Sequence, residues 1–318
     1  MELLSILLIL GGLLVGWCIG ANDAANCVGT SLGAGIMRYR KAALFVGLLA
    51  FLGATFQGAA SISTIGKGIV IPTDITLGAA IVALFGAAIS IIILTLFSLP
   101  VSTTQAVIGS IAGIGILMAS PINWHVFIKI FAWGFGSFAV SLVTSFLMYK
   151  FILGLFSRGK LIYIERRIYI LVILSAAFLA YSLGANNIGN AMGLIVGNDL
   201  MRPALAGFTG GIALAFGAST IGIKVMKTVG TRITALDATM AFSAQFSSAA
   251  IVYILALAGI PTSITFAIVG GVVGVGLVKG IASVDSKTMG HILFGWLVTP
   301  FLGALSTIIL FKLITFLF

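Results

Sequence analysis

The sequence predicts an all-α polytopic membrane protein built from two inverted-topology repeats, and three observations carry that prediction. Of the 318 residues, 60% are hydrophobic and only 8% charged, against about 25% charged in a soluble protein. The apolar residues gather into runs near 2–20, 42–60, 76–98, 99–119, 125–149, 168–184, 203–223, 237–258, 261–279 and 288–314. These lengths cluster around the roughly 20 residues that span a bilayer as a helix, and the runs are continuously apolar where a barrel strand would alternate. Finally, residues 20–58 recur at 184–222.

Taken in order, the first run follows Met1-Glu2 with no Lys or Arg ahead of it, so it lacks the basic region of a cleaved signal and reads as a retained span. Cys18 and Cys27 are too few for a zinc site and read as packing residues. The basic residues of this +10 chain lie in short connections, which excludes a nucleic-acid-binding face. Lys150, Arg158, Lys160, Arg166 and Arg167, against Glu165, make 151–167 a basic cytoplasmic linker by the positive-inside rule. It separates a first repeat, 1–150, from a second, 168–318. Arg38, Arg40 and Lys41 mark another cytoplasmic loop. In the second half the charge moves to the other side: Lys224, Lys227 and Arg232 face only Lys67 and Asp74 in the corresponding first-half connection. Opposite bias in two copies implies opposite orientation, with both termini outside the cell membrane.

The repeat opens with Gly20-Ala21-Asn22-Asp23-Ala24-Ala25-Asn26, matched by Gly184-Ala185-Asn186-Asn187-Ile188-Gly189-Asn190. It continues through Gly29 and Gly193, Met37-Arg38 and Met201-Arg202, Gly47 and Gly211, and Gly53-Ala54 and Gly217-Ala218. Further on, Pro100-Val101-Ser102-Thr103-Thr104-Gln105 aligns with Pro261-Thr262-Ser263-Ile264-Thr265-Phe266. Only Leu99-Pro100 separates 76–98 from 99–119. The two segments, and likewise 237–258 and 261–279, therefore form either a re-entrant hairpin or two full spans. The total is about 10–12 membrane segments, interrupted at the polar motifs.

Asp23 is the one acidic residue inside an apolar run, with no Lys or Arg within fourteen residues. A buried carboxylate costs several kcal/mol unless paired or metal-bound, and a cation is its natural partner; protonation is the rival. Asn22, Asn26, Asn186, Asn187 and Asn190 add hard oxygens suited to Na⁺, and a helix break at Gly20 would free backbone carbonyls. Alternatively the asparagines cap half-helices or join helices. Pro100 followed by Ser102, Thr103 and Thr104 reads as a helix N-terminus, where free N–H groups and the dipole favour an anion such as phosphate or sulfate. Ser263 and Thr265 supply the second half of that cradle; simple capping is the alternative. Gln57, Gln105 and Gln245 also fall inside spans as ligands or as helix-to-helix bonds. His125 and His291 lie away from the hydroxyl clusters, so an intramembrane hydrolase lacks its base. The chain reads as no enzyme.

These motifs resemble the inorganic phosphate transporter (PiT) family, as do Ile65-Gly66-Lys67-Gly68-Ile69, Gly274-Val275-Gly276-Leu277, Lys287-Thr288, Trp296 and Thr299-Pro300. The likeness covers nearly the whole chain. It implies an inverted-repeat carrier, usually a homodimer in the bilayer, that moves inorganic phosphate with Na⁺, or with H⁺ in some members, and needs no other cofactor. A few members resemble sulfate permeases, and a channel is the alternative of another class. Phosphate then falls to Ser102, Thr103, Thr104, Gln105, Ser263, Thr265, Asn22 and Asn186. Na⁺ falls to Asp23, Asn26, Asn187 and Asn190, with Gln57 and Gln245. The sequence departs from the family pattern at Asn187, where Asp is usual, at Gln105 and Phe266, where His is common, and at Ile264, where Thr is.

Overall fold

A computed structural model describes residues 2–68, 76–97, 100–156, 161–220 and 228–317. Arg158, Lys160, Lys224, Lys227, Asp74, Ile69 and Leu99 lie outside the described residues, as do the side chains of Lys67, Glu165 and Arg166. Among the described residues the chain is helical: α1 Glu2–Gly33, α2 Tyr39–Gln57, α3 Ala59–Gly68, α4 Leu77–Leu96, α5 Thr103–Leu117, α6 Trp124–Phe156, α7 Leu161–Gly197, α8 Pro203–Ala218, α9 Ala238–Leu257, α10 Ile264–Val278 and α11 Ser286–Leu317. A short π turn, Thr228–Arg232, precedes α9, and a 3₁₀ turn, Ile281–Ser283, precedes α11. Seven of the described helices are long and apolar enough to cross a membrane, and three shorter apolar ones accompany them: α5, α8 and α10.

The expected break at Gly20 is absent. α1 runs unbroken from Glu2 to Gly33 and α7 from Leu161 to Gly197, so both asparagine motifs lie in mid-helix. Asparagine has only a modest intrinsic helix penalty, and here its side chains bond to other helices instead of to their own backbone. Two residues beyond the end of α1, Gly35 takes φ +73° and lets Ile36 N–H donate to Ser31 C=O at 2.9 Å, a C-terminal cap that glycine accommodates. The interruptions fall instead between α4 and α5 and between α9 and α10. α5 and α10 have 15 residues each, about 22 Å at 1.5 Å per residue, short of the roughly 30 Å hydrocarbon core. Both are buried from their first residue, which is the re-entrant alternative.

The inversion shows in the contacts between α1 and α7. Gly12 faces Ile195 and Ala191, and Gly16 faces Ala191, while Asp23 reaches Asn187. Residue numbers rise on one helix as they fall on the other, so the equivalent helices run antiparallel. The two copies also interlock: α1 packs on α8, α2 on α7, α6 on α9 and α10, and α11 on α4 and α5. α6 and α11 turn Val140, Val143, Leu147, Phe294, Phe301 and Leu305 outward, an apolar surface suited to lipid.

Candidate functional site

The tips of the two hairpins meet beside the middle of α1 and α7. Asp23 is 1% exposed. Its Oδ2 accepts from Thr103 Oγ1 at 2.6 Å and from Asn187 Nδ2 at 2.8 Å, and its Oδ1 accepts from Thr265 Oγ1 at 3.5 Å. One carboxylate thus holds the first residue of α5, the second of α10 and the partner motif on α7.

Around this centre the bonds come in symmetric pairs that cross between the repeats. Asn26 Nδ2 donates to Thr265 Oγ1 at 2.7 Å, and Asn190 Nδ2 donates to Thr104 Oγ1 at 2.9 Å. Thr265 in turn donates to Val101 C=O at 2.9 Å, and Thr104 to Thr262 C=O at 3.1 Å. Each helix N-terminus is therefore clasped by the other repeat's motif. Ser102 and Ser263 accept from Gln105 N–H at 3.1 Å and Phe266 N–H at 3.4 Å, which is N-capping. Their own hydroxyl protons remain available, whereas those of Thr103, Thr104 and Thr265 already go to protein acceptors.

Asn22 and Asn186 hold the hairpins from outside this ring. Asn22 Nδ2 donates to Thr95 Oγ1 at 2.8 Å near the end of α4. Asn186 Nδ2 donates to Ile260 C=O at 3.1 Å while its Oδ1 accepts from Thr262 N–H at 2.8 Å, so both ends of that amide are spent on the α9–α10 turn. Gln245 joins α1 one turn beyond Asn26. Its Nε2 donates to Ser31 Oγ at 2.7 Å and Cys27 C=O at 3.1 Å, and its Oε1 accepts from Ser175 Oγ at 3.0 Å. Gln57 is half-buried at the C-terminus of α2 and takes no part in these bonds.

Several buried side-chain atoms are left without a hydrogen-bond partner: Oδ1 of Asn22, Asn26, Asn187 and Asn190, and both amide atoms of Gln105. Each unmade bond costs about 1–3 kcal/mol, so the orphan oxygens of Asn26, Asn187 and Asn190, whose amides bond to Asp23 or to the threonines around it, make the surroundings of the buried carboxylate electron-rich. A hard cation would satisfy them together. Among the described residues no group of three or more His, Cys, Asp or Glu side chains could hold a metal ion, which disfavours a transition metal and suits an alkali cation. The facing N-termini of α5 and α10 present first-turn N–H groups, the Ser102 and Ser263 hydroxyls and the free Gln105 amide, all apt for an oxyanion.

Sequence reasoning missed three supports of this arrangement. Thr95 holds Asn22; Thr262 donates through Oγ1 to Trp133 C=O at 3.0 Å; and Trp296 Nε1 donates to Pro100 C=O at 3.1 Å. The tryptophan also stacks on Phe266, with centroids 3.8 Å apart. Only spatial proximity reveals these, although a tryptophan in mid-span was a cue for a buried N–H partner.

The phosphate transporter family model matches the chain twice, over residues 19–166 and 162–307. The chain belongs to that family. Among its relatives, a Pyrococcus furiosus protein named as a candidate phosphate permease is 32% identical, with 95% of this chain and 94% of the relative covered. The chloroplastic inorganic phosphate transporter 2-1 of Arabidopsis thaliana is 26% identical over 97% of this chain and 72% of its own. A solved structure titled as a sodium-dependent phosphate transporter superposes with a TM-score of 0.89 at 27% identity, covering 100% of both chains. The apolar helices and the family make this a multi-pass membrane protein, and its family and fold are those of a transporter.

Proposed function

We propose that the chain is a secondary active transporter carrying inorganic phosphate across the cell membrane together with Na⁺ by alternating access. The observation that carries this reading is the buried Asp23 carboxylate, ringed by partnerless amide oxygens and set between two helix N-termini. Asp23, Asn26, Asn187 and Asn190 would hold the cation. Ser102, Ser263, Gln105 and the first-turn amides of α5 and α10 would hold the anion, with the threonines free to exchange partners as ligands enter. No Lys or Arg side chain takes part in the cluster's hydrogen bonds, so the cation supplies the charge that lowers the cost of burying phosphate beside a carboxylate. Each ligand then strengthens binding of the other by the same factor.

Alternating access, rather than a pore, is favoured by enclosure: Asp23, Asn26, Asn187, Asn190, Thr104 and Thr265 are all at most 1% exposed. The test is uptake of labelled phosphate by proteoliposomes under an inward Na⁺ gradient, with choline in place of Na⁺ and an imposed proton gradient as separate arms. Concentrative uptake with Na⁺ alone is expected, inhibited by arsenate more than by sulfate. Uptake indifferent to Na⁺ would overturn the coupling ion, and stronger competition by sulfate would overturn the substrate.

A further inference from the structure

We propose that the two halves of the site are unequal enough to couple one Na⁺, and not two, to each phosphate, with Asn187 as the residue that sets the count. This rests on the function proposed above. Because the motif is duplicated, a symmetric protein would hold two equivalent cation niches about the Asp23–Asn187 contact. The observed halves keep the Asn26 and Asn190 positions alike but differ at Asp23 and Asn187 and at Thr103 and Ile264.

In the first half, Asp23 brings a charge, its Oδ1 has only the long 3.5 Å contact with Thr265, and Oδ1 of Asn22 and of Asn26 lack partners. A cation beside Asp23 there meets a carboxylate and the free amide oxygen of Asn26. In the second half, Asn187 brings no charge and spends its Nδ2 on Asp23 at 2.8 Å. Asn186 Oδ1 is occupied by Thr262 N–H at 2.8 Å, leaving only the neutral oxygens of Asn187 and Asn190. Ile264 stands where Thr103 stands in the first half, so the hydroxyl that completes the Asp23 shell has no counterpart.

Charge balance agrees with the ligand count. Asp23 and a monovalent phosphate together carry two negative charges. One Na⁺ supplies one positive charge, and the two helix N-termini, each worth about half a charge, supply the rest. A second Na⁺ would leave net positive charge in a buried site whose only charged side chain is already compensated.

Purified full-length protein in proteoliposomes, given radiolabelled sodium and phosphate, decides the count. The expected result is equimolar uptake, with the rate first-order in Na⁺. Asn187→Asp places a second carboxylate 2.8 Å from the first, where like charges repel until a cation lies between them. In that variant uptake becomes second-order in Na⁺, and the slope of melting temperature against log Na⁺ without phosphate, which counts bound ions, doubles. The exchange variant Asp23→Asn with Asn187→Asp restores one carboxylate and a first-order dependence. Two sodium ions per phosphate in the wild type, or equal melting slopes in the wild type and Asn187→Asp, would overturn the proposal. Wild-type uptake and melting that ignore Na⁺ would sink the underlying coupling reading, and the count with it.

Discussion

The two repeats share a scaffold far more faithfully than they share a chemistry. A Cβ on Gly20 would collide with Leu214 C=O, and one on Gly184 with Ala50 C=O; Gly53 and Gly217 meet Tyr181 C=O and Trp17 C=O in the same way. Each pair is related by the 164-residue shift of the duplication, so helix crossings are copied contact for contact. The polar contacts are not. Thr103, Asp23 and Gln105 in the first half correspond to Ile264, Asn187 and Phe266 in the second, and where Gln105 keeps a free amide, Phe266 stacks on Trp296. Gln245, bonded to Ser31 and Ser175, corresponds to Leu84, which packs on Gly11, the counterpart of Ser175, while Ile195 stands in the place of Ser31. Backbone approach tolerates no side chain on either copy, while a site built from both copies needs each ligand only once.

The largest effect should come from removing the one charge. Asp23→Asn makes the central pair neutral, and Na⁺-driven phosphate uptake should fall at least about 100-fold, or about 2.7 kcal/mol of coupling, while the melting temperature without Na⁺ holds or rises. Retained gradient-driven uptake would place the cation elsewhere. Next, Gly20→Ala and Gly184→Ala should each cost about 1–3 kcal/mol of stability through overpacking, equally within error by thermal unfolding in detergent. Unequal costs would break the symmetry claimed for the scaffold.

The same contrast explains what was legible in the sequence. Apolar runs, the duplication and the charge bias reported the helices and their inversion, because bilayer burial and backbone approach leave period and glycine signatures. The pairing of Asn26 with Thr265 and Asn190 with Thr104 was not legible, since residues 239 and 86 positions apart meet only through the interlock of the repeats. The helix break at Gly20 was wrongly expected for a related reason. Polar residues in an apolar run imply a partner, and unbroken α1 finds those partners on α4, α5, α7 and α10 instead of in an unwound backbone. Gln57 illustrates the limit of composition, because a polar residue at a span's end lies near the half-exposed rim.

Thr103→Val sharpens the comparison at a single bond. It makes the first half resemble the second by deleting a hydroxyl donor to Asp23, and a bond to a charged group is worth about 1.5–3 kcal/mol. The Na⁺ concentration for half-maximal uptake should rise about tenfold or more. The reciprocal Ile264→Thr gives Asn187 Oδ1 a donor and should raise stability while leaving the Na⁺ dependence near wild type. Gln245→Leu installs the first-half residue in the second. Interhelical bonds in membranes average about 0.6 kcal/mol, and Ser175 keeps its bond to Val172 C=O at 3.0 Å, so about 1 kcal/mol of stability should be lost with uptake largely retained. A collapse of uptake would make the polar ladder from Cys27 to Ser175 part of the ion's route.

The smallest effect is expected where the halves differ at the membrane face. Asp237 caps α9 through Met240 N–H at 2.8 Å and also pairs with Lys279 Nζ at 3.2 Å; its counterpart Thr76 caps α4 through Ala79 N–H at 3.3 Å. Both side chains of the ion pair are nearly half exposed, at 46% and 47%, so water and salt screen it and its worth is at most about 1 kcal/mol. Asp237→Thr exchanges the second-half cap for the first-half one: the capping bond survives, the ion pair goes, and stability should fall by under about 1 kcal/mol, a difference that vanishes at high salt. Tyr149 OH also donates to Asp237 Oδ2, at 3.2 Å, so the residue ties α6 to the starts and ends of the second hairpin. Lost uptake with unchanged melting would therefore mean that this tie restrains the α9–α10 hairpin as a latch, a constraint that the first hairpin's Thr76 does not impose.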